Sequence, residues 1–257
     1  MLLNNLMILL AMMFLLWLIS QVRRDVSIID PVWGVGFVVI AWATCIQNWP
    51  VSGRMLLVTS LVTIWGIRLW GYLFWRGIGE PEDSRYAAMR DKHDDRFWWV
   101  SLITVFGLQA FLLWLIAFPI QYTAASAEAT SLGWLDAVGV LLWLVGFFFE
   151  SVGDWQLARF RGNPDNRGKV LDSGLWRYTR HPNYFGDFCV WWGFYLLSIG
   201  AGAGWTIFSP LVMSILLMKI SGVTLLEKNI SERRPEYSSY KARTSSFFPW
   251  RPKNNNC

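Results

Sequence analysis

A cluster of polar residues stands beside one of the most aromatic stretches of this chain. The segment Arg180–Asp187 reads RHPNYFGD and runs directly into FCVWWGFYLL. Its side chains supply two basic groups, an amide, a phenol and a carboxylate, which are groups that bind anions and move protons. Asn183 stands where the apolar segment starts, and the free N–H groups of a helix start also attract anions. The cluster predicts either a helix cap or a site for a charged cofactor.

The composition indicates a chain that lies in a lipid bilayer. Of its 257 residues, 54% are hydrophobic, 17% are aromatic and only 16% are charged. A helix needs roughly 20 apolar residues to cross a bilayer, and segments of that kind recur along the chain. We predict an all-α integral membrane protein, a single domain over residues 1–257 with seven transmembrane helices. Their predicted bounds are Leu2–Ser20, Pro31–Trp49, Met55–Trp75, Phe97–Tyr122, Leu132–Trp155, Tyr184–Ile199 and Trp205–Leu226.

The basic residues predict how these helices are oriented. Of 23 Lys and Arg residues, 21 fall in four segments that lie on the same side of a seven-helix chain. Those segments are residues 21–30, 76–97, 159–180 and 219–257. The connections 123–131 and 200–204 on the other side carry no Lys or Arg. Because cytoplasmic loops carry the basic excess, we predict an outside N-terminus and a cytosolic C-terminus, in a bacterial inner membrane or the endoplasmic reticulum.

The same residues argue against several classes of function. The net charge of +5 is explained by basic residues along one membrane face, where they meet anionic lipids, so nucleic acid is not a predicted partner. Three cysteines without a CxxC pair and two histidines predict no metal site. The chain also has no GxGxxG or P-loop pattern. A nucleotide cofactor would therefore be held by the helix bundle itself.

Acidic residues in the fifth predicted helix mark a candidate functional site. Glu150 and Asp154 are four residues apart and share one face of that helix. An ionisable group in hydrocarbon is costly unless it is paired or faces a wet cavity. One interpretation is a functional acid, and the other is an interfacial ion pair with Arg159 or Arg161.

Two further groups of polar residues lie in the N-terminal half. Arg68, Tyr72 and Arg76 recur every four residues and form a polar stripe on an aromatic helix. This pattern is typical of a satisfied, packed stripe and also of a site. Asp30 precedes Pro31, where a carboxylate stabilises the start of a helix. We favour that capping role slightly over a role in catalysis.

The connection before the polar cluster predicts a cytosolic cofactor-binding loop over residues 159–183. It is dense in Gly, Pro, Asn and Asp, which favour turns over another helix. Its six basic residues can hold phosphates, with Arg161 and Arg180 making forked contacts. In the alternative interpretation, Pro182 and Asn183 only cap the sixth helix, and the arginines contact lipid headgroups.

Residues 227–257 predict a cytosolic tail. We expect a short amphipathic helix or turn that returns to the cytosolic end of the bundle and brings Tyr240 and Arg243 near the cofactor. The alternative is an interfacial anchor, with Trp250 and the arginines at the level of the lipid headgroups.

Three segments, in order, resemble the membrane steroid 5α-reductase-like family, which includes bacterial relatives of unassigned substrate. PNYFGDFCVWWG is similar to the family's PNYxGE-type motif, with Asp187 in place of the glutamate. GDWQLARFR resembles its Asp-and-Arg segment and aligns Asp154 and Arg161. YKARTSSFFPW is similar to its closing segment. The resemblance is best from about Glu150 to Trp250 and implies a seven-helix fold that encloses NADPH.

The resemblance also implies roles for individual residues. Asp154, Arg161 and Asn183 would contact NADPH, and Asp187 would help to fix the nicotinamide. In the N-terminal half, Trp65 stands where the family has a tyrosine near the steroid carbonyl. Asp30 and Tyr72 are the nearest groups of the right chemical type. We therefore predict these two as candidate catalytic proton donors on chemical grounds.

These observations predict an NADPH-dependent membrane reductase. It would transfer hydride to a C=C bond conjugated with a carbonyl in a steroid-like or lipid-like substrate. Because that substrate is hydrophobic, it would enter from the surrounding lipid. The cofactor would supply the hydride, and the protein would polarise the carbonyl and supply a proton.

Two alternatives stay open. RHPNYFG followed by Glu227 also resembles isoprenylcysteine carboxyl methyltransferases and phospholipid methyltransferases, although sterol reductases of the lamin-receptor type share RHPNY as well. The methyltransferase resemblance implies an S-adenosylmethionine pocket shaped by Arg180, His181 and Tyr184, with Glu227 facing the positive end of the ligand. The basic loop favours NADPH, because NADPH carries about four negative charges and S-adenosylmethionine is nearly neutral. The third class is a non-enzymatic lipid-binding membrane protein.

Overall fold

The computed structural model describes residues 1–125, 131–220 and 236–253. Within these ranges every regular element is a helix, and the one β-type pairing is an isolated parallel bridge between Thr179 and Ser245. The chain forms two compact units, described separately below. The first contains Met1–Leu132 with Ala201–Ala203, and the second contains Gly133–Gly200 with Gly204–Cys257.

The first unit is built from long apolar helices. Its second helix begins at Ile29 and holds Asp30 in its first turn, as the predicted capping role requires. A π-helical stretch at Leu102–Gly107 separates the fifth helix from the sixth. The bounds are α1 Leu2–Arg23, α2 Ile29–Gln47, α3 Gly53–Gly77, α4 Ser84–His93, α5 Phe97–Ser101, α6 Leu108–Ile116 and α7 Phe118–Ala125.

Helices α2 and α3 pack closely at a pair of glycines. A Cβ atom on Gly34 would lie 2.7 Å from the carbonyl oxygen of Gly66, and one on Gly66 would lie 2.6 Å from that of Gly34. The backbones therefore meet without an intervening side chain. Beside this crossing, the fully buried rings of Phe37 and Trp65 lie 5.8 Å apart. Small residues at the crossing thus let large aromatic residues fill the neighbouring space.

A buried network of amides joins three helices of the first unit. The Nδ2 of Asn5, which is fully buried, donates to Thr44 at 2.8 Å and to Gln121 at 2.9 Å. Its Oδ1 accepts from Gln47 at 2.7 Å. Because buried amides are costly unless they are hydrogen bonded, this network fixes α1 against α2 and α7.

The second unit contains one very long helix and several shorter elements. The 28-residue α8 ends in Arg159 and Arg161, whose positive charges suit the C-terminus of a helix. Short 3₁₀ helices at Pro164–Asn166 and Gly174–Arg177 form the predicted turns of the loop, and a π-helical stretch covers Leu216–Ile220. The α-helices are α8 Trp134–Arg161, α9 Pro182–Gly200, α10 Phe208–Ile215 and α11 Tyr237–Arg243.

Five helical stretches in the described residues are long and apolar enough to cross a membrane. They overlap the first five predicted spans in the same order, although the fourth stretch begins at Ser84 and the predicted span at Phe97. The sixth prediction corresponds to α9, which carries Asn183 and Asp187 near its start, and the seventh to the 17-residue stretch Gly204–Ile220 and residues outside the described ranges. Seven spans and their orientation therefore stay a prediction. The five stretches are Leu2–Arg23, Ile29–Gln47, Gly53–Gly77, Ser84–Ile116 and Trp134–Arg161.

Helices α8 and α9 meet along glycines spaced seven residues apart. On α8 these are Gly139, Gly146 and Gly153, and on α9 they are Gly186 and Gly193. A Cβ atom on Gly146 would lie 2.5 Å from the carbonyl oxygen of Gly186, and one on Gly139 would lie 3.0 Å from that of Gly193. The two backbones are therefore in contact over several turns, which places the start of α9 beside the last third of α8.

Candidate functional site

Asp154 and Asn183 come together where α9 begins. The Nδ2 of Asn183 donates to Oδ1 of Asp154 at 3.1 Å. Asp154 is 3% exposed, whereas Asn183 is half-buried. The two residues are 29 positions apart in sequence, and the resemblance had assigned both to the same cofactor. The structure thus joins two predicted site residues directly.

The glycine packing is what brings these two side chains within reach. A Cβ atom on Gly153, the residue before Asp154, would lie 3.3 Å from the backbone nitrogen of Asn183. A Cβ atom on Gly186 would lie even closer, 2.4 Å, to the backbone nitrogen of Glu150, one turn earlier on α8. Both acids of α8, Glu150 and Asp154, are 3% exposed. The spacing of four residues places both on one face of α8, as predicted, and in the structure that face packs against α9.

The loop between α8 and α9 is attached to the end of α8 by two side chains. The indole nitrogen of Trp176 donates to the carbonyl of Gly153 at 3.1 Å, and Gln156 Oε1 accepts from the backbone of Leu175 at 3.0 Å. Gly174 adopts a φ of 61°, and a Cβ atom there would collide with the Gln156 side chain. Only glycine combines that left-handed conformation with such close contact. The loop is thereby fixed beside Asp154.

The exposed basic residues of the loop form the charged surface of this site. Arg161 closes α8 and is exposed, as are Arg159, Arg167 and Arg177. The guanidinium carbon of Arg159 lies 5.6 Å from the centre of the Trp155 ring, which helps to hold that side chain. Exposed guanidinium groups beside a helix start are suited to binding phosphate groups.

Arg180 is buried, at 7% exposure, and is not part of the exposed basic surface of the loop. Its Nη1 donates to the carbonyl oxygens of Thr244 at 2.5 Å and Lys241 at 3.1 Å, at the end of α11. Its backbone nitrogen donates to Ser245 at 2.9 Å. The forked phosphate contact predicted for Arg180 competes with these bonds for the same guanidinium group.

The two predicted tail residues also contact the loop. The Tyr240 hydroxyl donates to the carbonyl of Trp176 at 2.5 Å, and Arg243 forms an ion pair with Asp172. A short helix, α11, carries both residues and packs on the loop, and their position near a cofactor stays a prediction. A shallow cavity of about 490 Å³ lies between the loop and the tail, lined by Tyr178, Pro249, Trp250 and Arg251.

The other residues of the polar cluster lie in the first turns of α9 or just before it. His181 is 4% exposed, and its ring stacks on that of Tyr184 at 5.7 Å and 13°. Asp187 is half-buried, one turn further along the helix. Glu227, the predicted partner of a positively charged ligand, lies outside the described residues.

The second unit fits a nicotinamide cofactor in its donor and acceptor chemistry. Asn183 uses one N–H toward Asp154, and its oxygen accepts from the backbone of Tyr184 at 3.1 Å. A side-chain amide has two N–H donors and two acceptor lone pairs, so it retains one of each. That complement matches a carboxamide, and the exposed arginines complement phosphates. Among the described residues, no cluster of His, Cys, Asp and Glu is suited to a metal ion.

In the first unit, Asp30 belongs to a polar network that ties α2 to α4. Its Oδ1 accepts from the Tyr86 hydroxyl at 2.7 Å, and its Oδ2 forms an ion pair with Arg85 at 2.7 Å. Nearby, the backbone nitrogen of Asp83 donates to the hydroxyl of Ser27 at 2.7 Å. The carboxylate thus combines the helix-start position with two side-chain hydrogen bonds.

Asp83 caps the start of α4 in this network. Burial raises the pKa of its carboxyl, but hydrogen bonds from the side chain and backbone of Arg85 outweigh burial, so that the pKa lies below its ordinary value. The Arg85 Nε lies 2.8 Å from the Asp83 carboxylate. This ion pair fixes the residue that reaches Asp30.

Tyr72 lies in the polar stripe of α3, between two arginines. The guanidinium carbons of Arg68 and Arg76 lie 5.5 and 5.6 Å from the centre of its ring. Cations over an aromatic face attract it electrostatically, so these three side chains interact with one another, and a catalytic role of Tyr72 stays a prediction. Trp65, two turns earlier, is fully buried.

Sequence reasoning missed several residues that position these groups. Gln156 and Trp176 attach the loop to α8, Asp172 binds the tail, and Tyr86 binds Asp30. Their residue types are common, and no spacing identifies them, because each contact depends on how distant segments pack. The seven-residue spacing of the glycines on α8 and α9 was a visible signal of close helix packing.

The chain is similar in sequence to two curated proteins. An uncharacterized protein of Schizosaccharomyces pombe is 27% identical over 226 residues, which cover 77% of this chain and 64% of that protein. The Delta(14)-sterol reductase of the same organism is 29% identical over 122 residues, which cover 42% of this chain and 28% of the reductase. The chain thus spans less than two thirds of either relative. No solved structure matches it.

The fold and composition define a multi-pass, all-helical membrane protein. Residues 16–244, most of the chain, match the family described as protein of unknown function DUF1295. The chain belongs to that family, which includes steroid 5α-reductase-like proteins.

Proposed function

We propose that this protein is an NADPH-dependent membrane reductase. Its substrate would be a hydrophobic enone of steroid-like or lipid-like character, and the bond reduced would be the C=C conjugated with the carbonyl. The similarity to a sterol reductase over 122 residues supports the reaction class. The DUF1295 family, which includes steroid 5α-reductase-like proteins, also supports it.

One observation carries the choice of cofactor. The Asn183 amide is fixed by Asp154 at 3.1 Å beside a loop with exposed arginines, and it retains one donor and one acceptor. A dinucleotide offers a carboxamide at one end and phosphates along its length. Asn183 and Asp187 would hold the nicotinamide part, and Arg161 with its basic neighbours would hold the phosphates.

When bound, NADPH supplies the hydride for the β-carbon of the enone, while the α-carbon takes up a proton from the protein or from water. On chemical grounds, Asp30 in its protonated form and Tyr72 are the proposed sources of that proton. The apolar helices exclude bulk water and allow the substrate to enter from the lipid. His181 and Tyr184 would shape the polar end of the site.

The proposal includes seven transmembrane helices with an outside N-terminus. This orientation puts residues 159–183 and the C-terminal tail in the cytosol, where NADPH is available. The charge distribution supports it, because 21 of 23 basic residues lie in the segments assigned to that side.

Binding of NADPH to the purified protein tests the proposal. We expect NADPH fluorescence to change saturably at micromolar protein, with weaker binding for Asn183→Ala and Arg161→Ala. Each variant removes an amide contact or a charge-assisted contact, and should lower the affinity about tenfold. An unchanged fluorescence signal in the wild-type protein would contradict the proposal.

A membrane methyltransferase is the second candidate. The observation in its favour is the stack of His181 on Tyr184 at 5.7 Å, because aromatic faces attract the sulfonium of S-adenosylmethionine. Equilibrium dialysis with labelled S-adenosylmethionine separates the two candidates. Saturable binding of this ligand without an NADPH response would favour the methyltransferase.

A further inference from the structure

We infer that Arg180 is a positioning residue that orders the C-terminal segment 236–253 against the loop, and that it acts on the cofactor site through that segment. The effect on the cofactor site rests on the proposed function, whereas the ordering of segment 236–253 does not. It assigns the arginine of RHPNY to the protein backbone, whereas the basic charge of the loop alone would assign it to a phosphate.

The guanidinium group of Arg180 is buried at the end of α11. At 7% exposure, it is far less accessible than the loop's other arginines. Its Nη1 contacts the carbonyl oxygens of Lys241 and Thr244, and the last carbonyls of a helix have no partner within the helix itself. A cation at this end of α11 both satisfies the carbonyls and complements the helix dipole.

The two residues before Arg180 also contact the C-terminal segment 236–253. Thr179 donates its hydroxyl to the carbonyl of Phe247 at 2.8 Å, and Tyr178 accepts from the backbone of Trp250 at 3.0 Å. Thr179 also forms the parallel bridge with Ser245. Three consecutive residues of the loop thus bind the tail, and the third, Arg180, does so with both its backbone and its side chain.

The contact between Arg180 and the tail lies close to the candidate site in the chain. Arg180 lies three residues before Asn183, and α9 begins between them at Pro182. Tyr240 of α11 bonds to Trp176, whose indole in turn bonds to Gly153, the neighbour of Asp154. The tail therefore contacts the loop next to both residues of the Asp154–Asn183 pair, and the cavity beside Tyr178 has tail residues as its other wall.

Hydrogen exchange of the full-length protein tests the positioning role without any cofactor. We expect Arg180→Ala to speed exchange of backbone amides in 237–253 about tenfold or more, because two bonds from a charged donor are lost. Arg180→Gln retains an N–H donor without the charge, and should restore most of the protection. Thr179→Val should shift exchange in the same direction as Arg180→Ala.

Arg177→Ala is the matched control for exchange, because it removes a nearby arginine that is exposed on the loop. Tail exchange should be unchanged in this variant. Equal exchange in Arg180→Ala and wild-type protein would overturn the inference. A variant that unfolds globally would speed exchange in α8 as well, and the Gln and Val variants would then decide.

Cofactor titrations test how Arg180 acts on the site. If it acts through the tail, Arg180→Ala weakens NADPH and NADH by the same factor, and Arg180→Gln recovers both. A loss confined to NADPH, with no recovery by Gln, would show direct contact with the 2′-phosphate and overturn the inference. If wild-type protein binds neither nucleotide, the proposed function fails, while the exchange result still decides whether Arg180 orders the tail.

Discussion

The Asp154–Asn183 hydrogen bond joins a buried carboxylate to an amide that is half accessible. Its geometry fixes the direction of the Asn183 side chain, since the Asp154 oxygen accepts one of only two amide N–H groups. Removing either partner should therefore affect ligand binding, although Asp154 itself is almost inaccessible. The bond is the residue-scale feature from which the cofactor proposal starts.

At the residue scale, Asp154→Ala should weaken NADPH binding about tenfold, because Asn183 loses its acceptor and a fixed orientation. Asp154→Asn retains an acceptor oxygen and should have a smaller effect. Fluorescence titration measures both. Asp91→Ala removes an exposed acid on α4 as the charge-matched control. Tight binding of NADPH to Asp154→Ala would remove Asp154 from the site.

The lowered pKa of Asp83 predicts a pH-dependent contribution to stability. Because the carboxyl ionises more readily in the folded protein, its charge stabilises the fold above about pH 4, and this stabilisation is lost as the pH falls through the lowered pKa. Asp83→Asn retains the helix-capping oxygen and removes the charge. Thermal unfolding should show the variant less stable at pH 7, with the difference shrinking toward pH 3. A difference that stays constant over this range would contradict the assignment.

At the scale of elements, glycines determine how closely the helices approach. The α8–α9 contact depends on Gly146 and Gly186, and the α2–α3 contact depends on Gly34 and Gly66. In each pair the nearest atoms are backbone atoms, which cannot rotate away from an added side chain. The close approach of α8 and α9 in turn sets the distance between Asp154 and Asn183.

Gly186→Ala should separate α8 from α9, because the new methyl group would lie about 2.5 Å from the Gly146 carbonyl. Overpacking of this kind costs roughly 1–3 kcal/mol. We expect a lower midpoint of thermal unfolding together with weaker NADPH binding, since Asn183 begins the displaced helix. Wild-type values for both measurements would show that the helices are less tightly packed than the structure indicates.

Helix α3 contains one glycine at a close helix contact, Gly66, and one with open space around it, Gly71. Gly66→Ala should destabilise the protein, because its Cβ would lie 2.6 Å from the Gly34 carbonyl. Gly71 lies on the same helix with nothing within 4 Å of an added Cβ. Gly71→Ala should be neutral or slightly stabilising, since alanine favours helices over glycine by about 1 kcal/mol. Thermal unfolding of the two variants should therefore shift in opposite directions or by very different amounts.

At the scale of the whole molecule, the distribution of charge predicts the membrane orientation. Single cysteines introduced at Glu80, Asp165 and Leu132, in a background where Cys257 is serine, test this. A membrane-impermeant thiol reagent added to intact cells or right-side-out vesicles should label Leu132→Cys only. The native Cys45 and Cys189 are buried, so they give little background. Labelling of Glu80→Cys or Asp165→Cys from outside would contradict the proposed orientation.

Features that depend only on neighbouring residues could be predicted from the sequence. Hydropathy predicted seven spans, five of which overlap membrane-length helices in the described residues, and turn-forming residues indicated the loop before Pro182. The four-residue spacing placed Glu150 and Asp154 on one face, which the structure buries against α9. These inferences succeed because helix periodicity and helix starts are local properties of the chain.

The partners of each basic residue depend on how distant segments pack in the tertiary structure. Arg161 and Arg180 carry the same group on the same loop, yet Arg161 is exposed and Arg180 binds carbonyls 61 and 64 residues away. Likewise, Asp30 acquires Tyr86 and Arg85 across 56 and 55 residues. Arg161 and Arg180 have the same side chain, so no local pattern distinguishes an arginine on the surface from one that binds the backbone of a distant segment. Their environment is created only when distant segments pack, and that is why the sequence identified the residues but the fold assigned their partners.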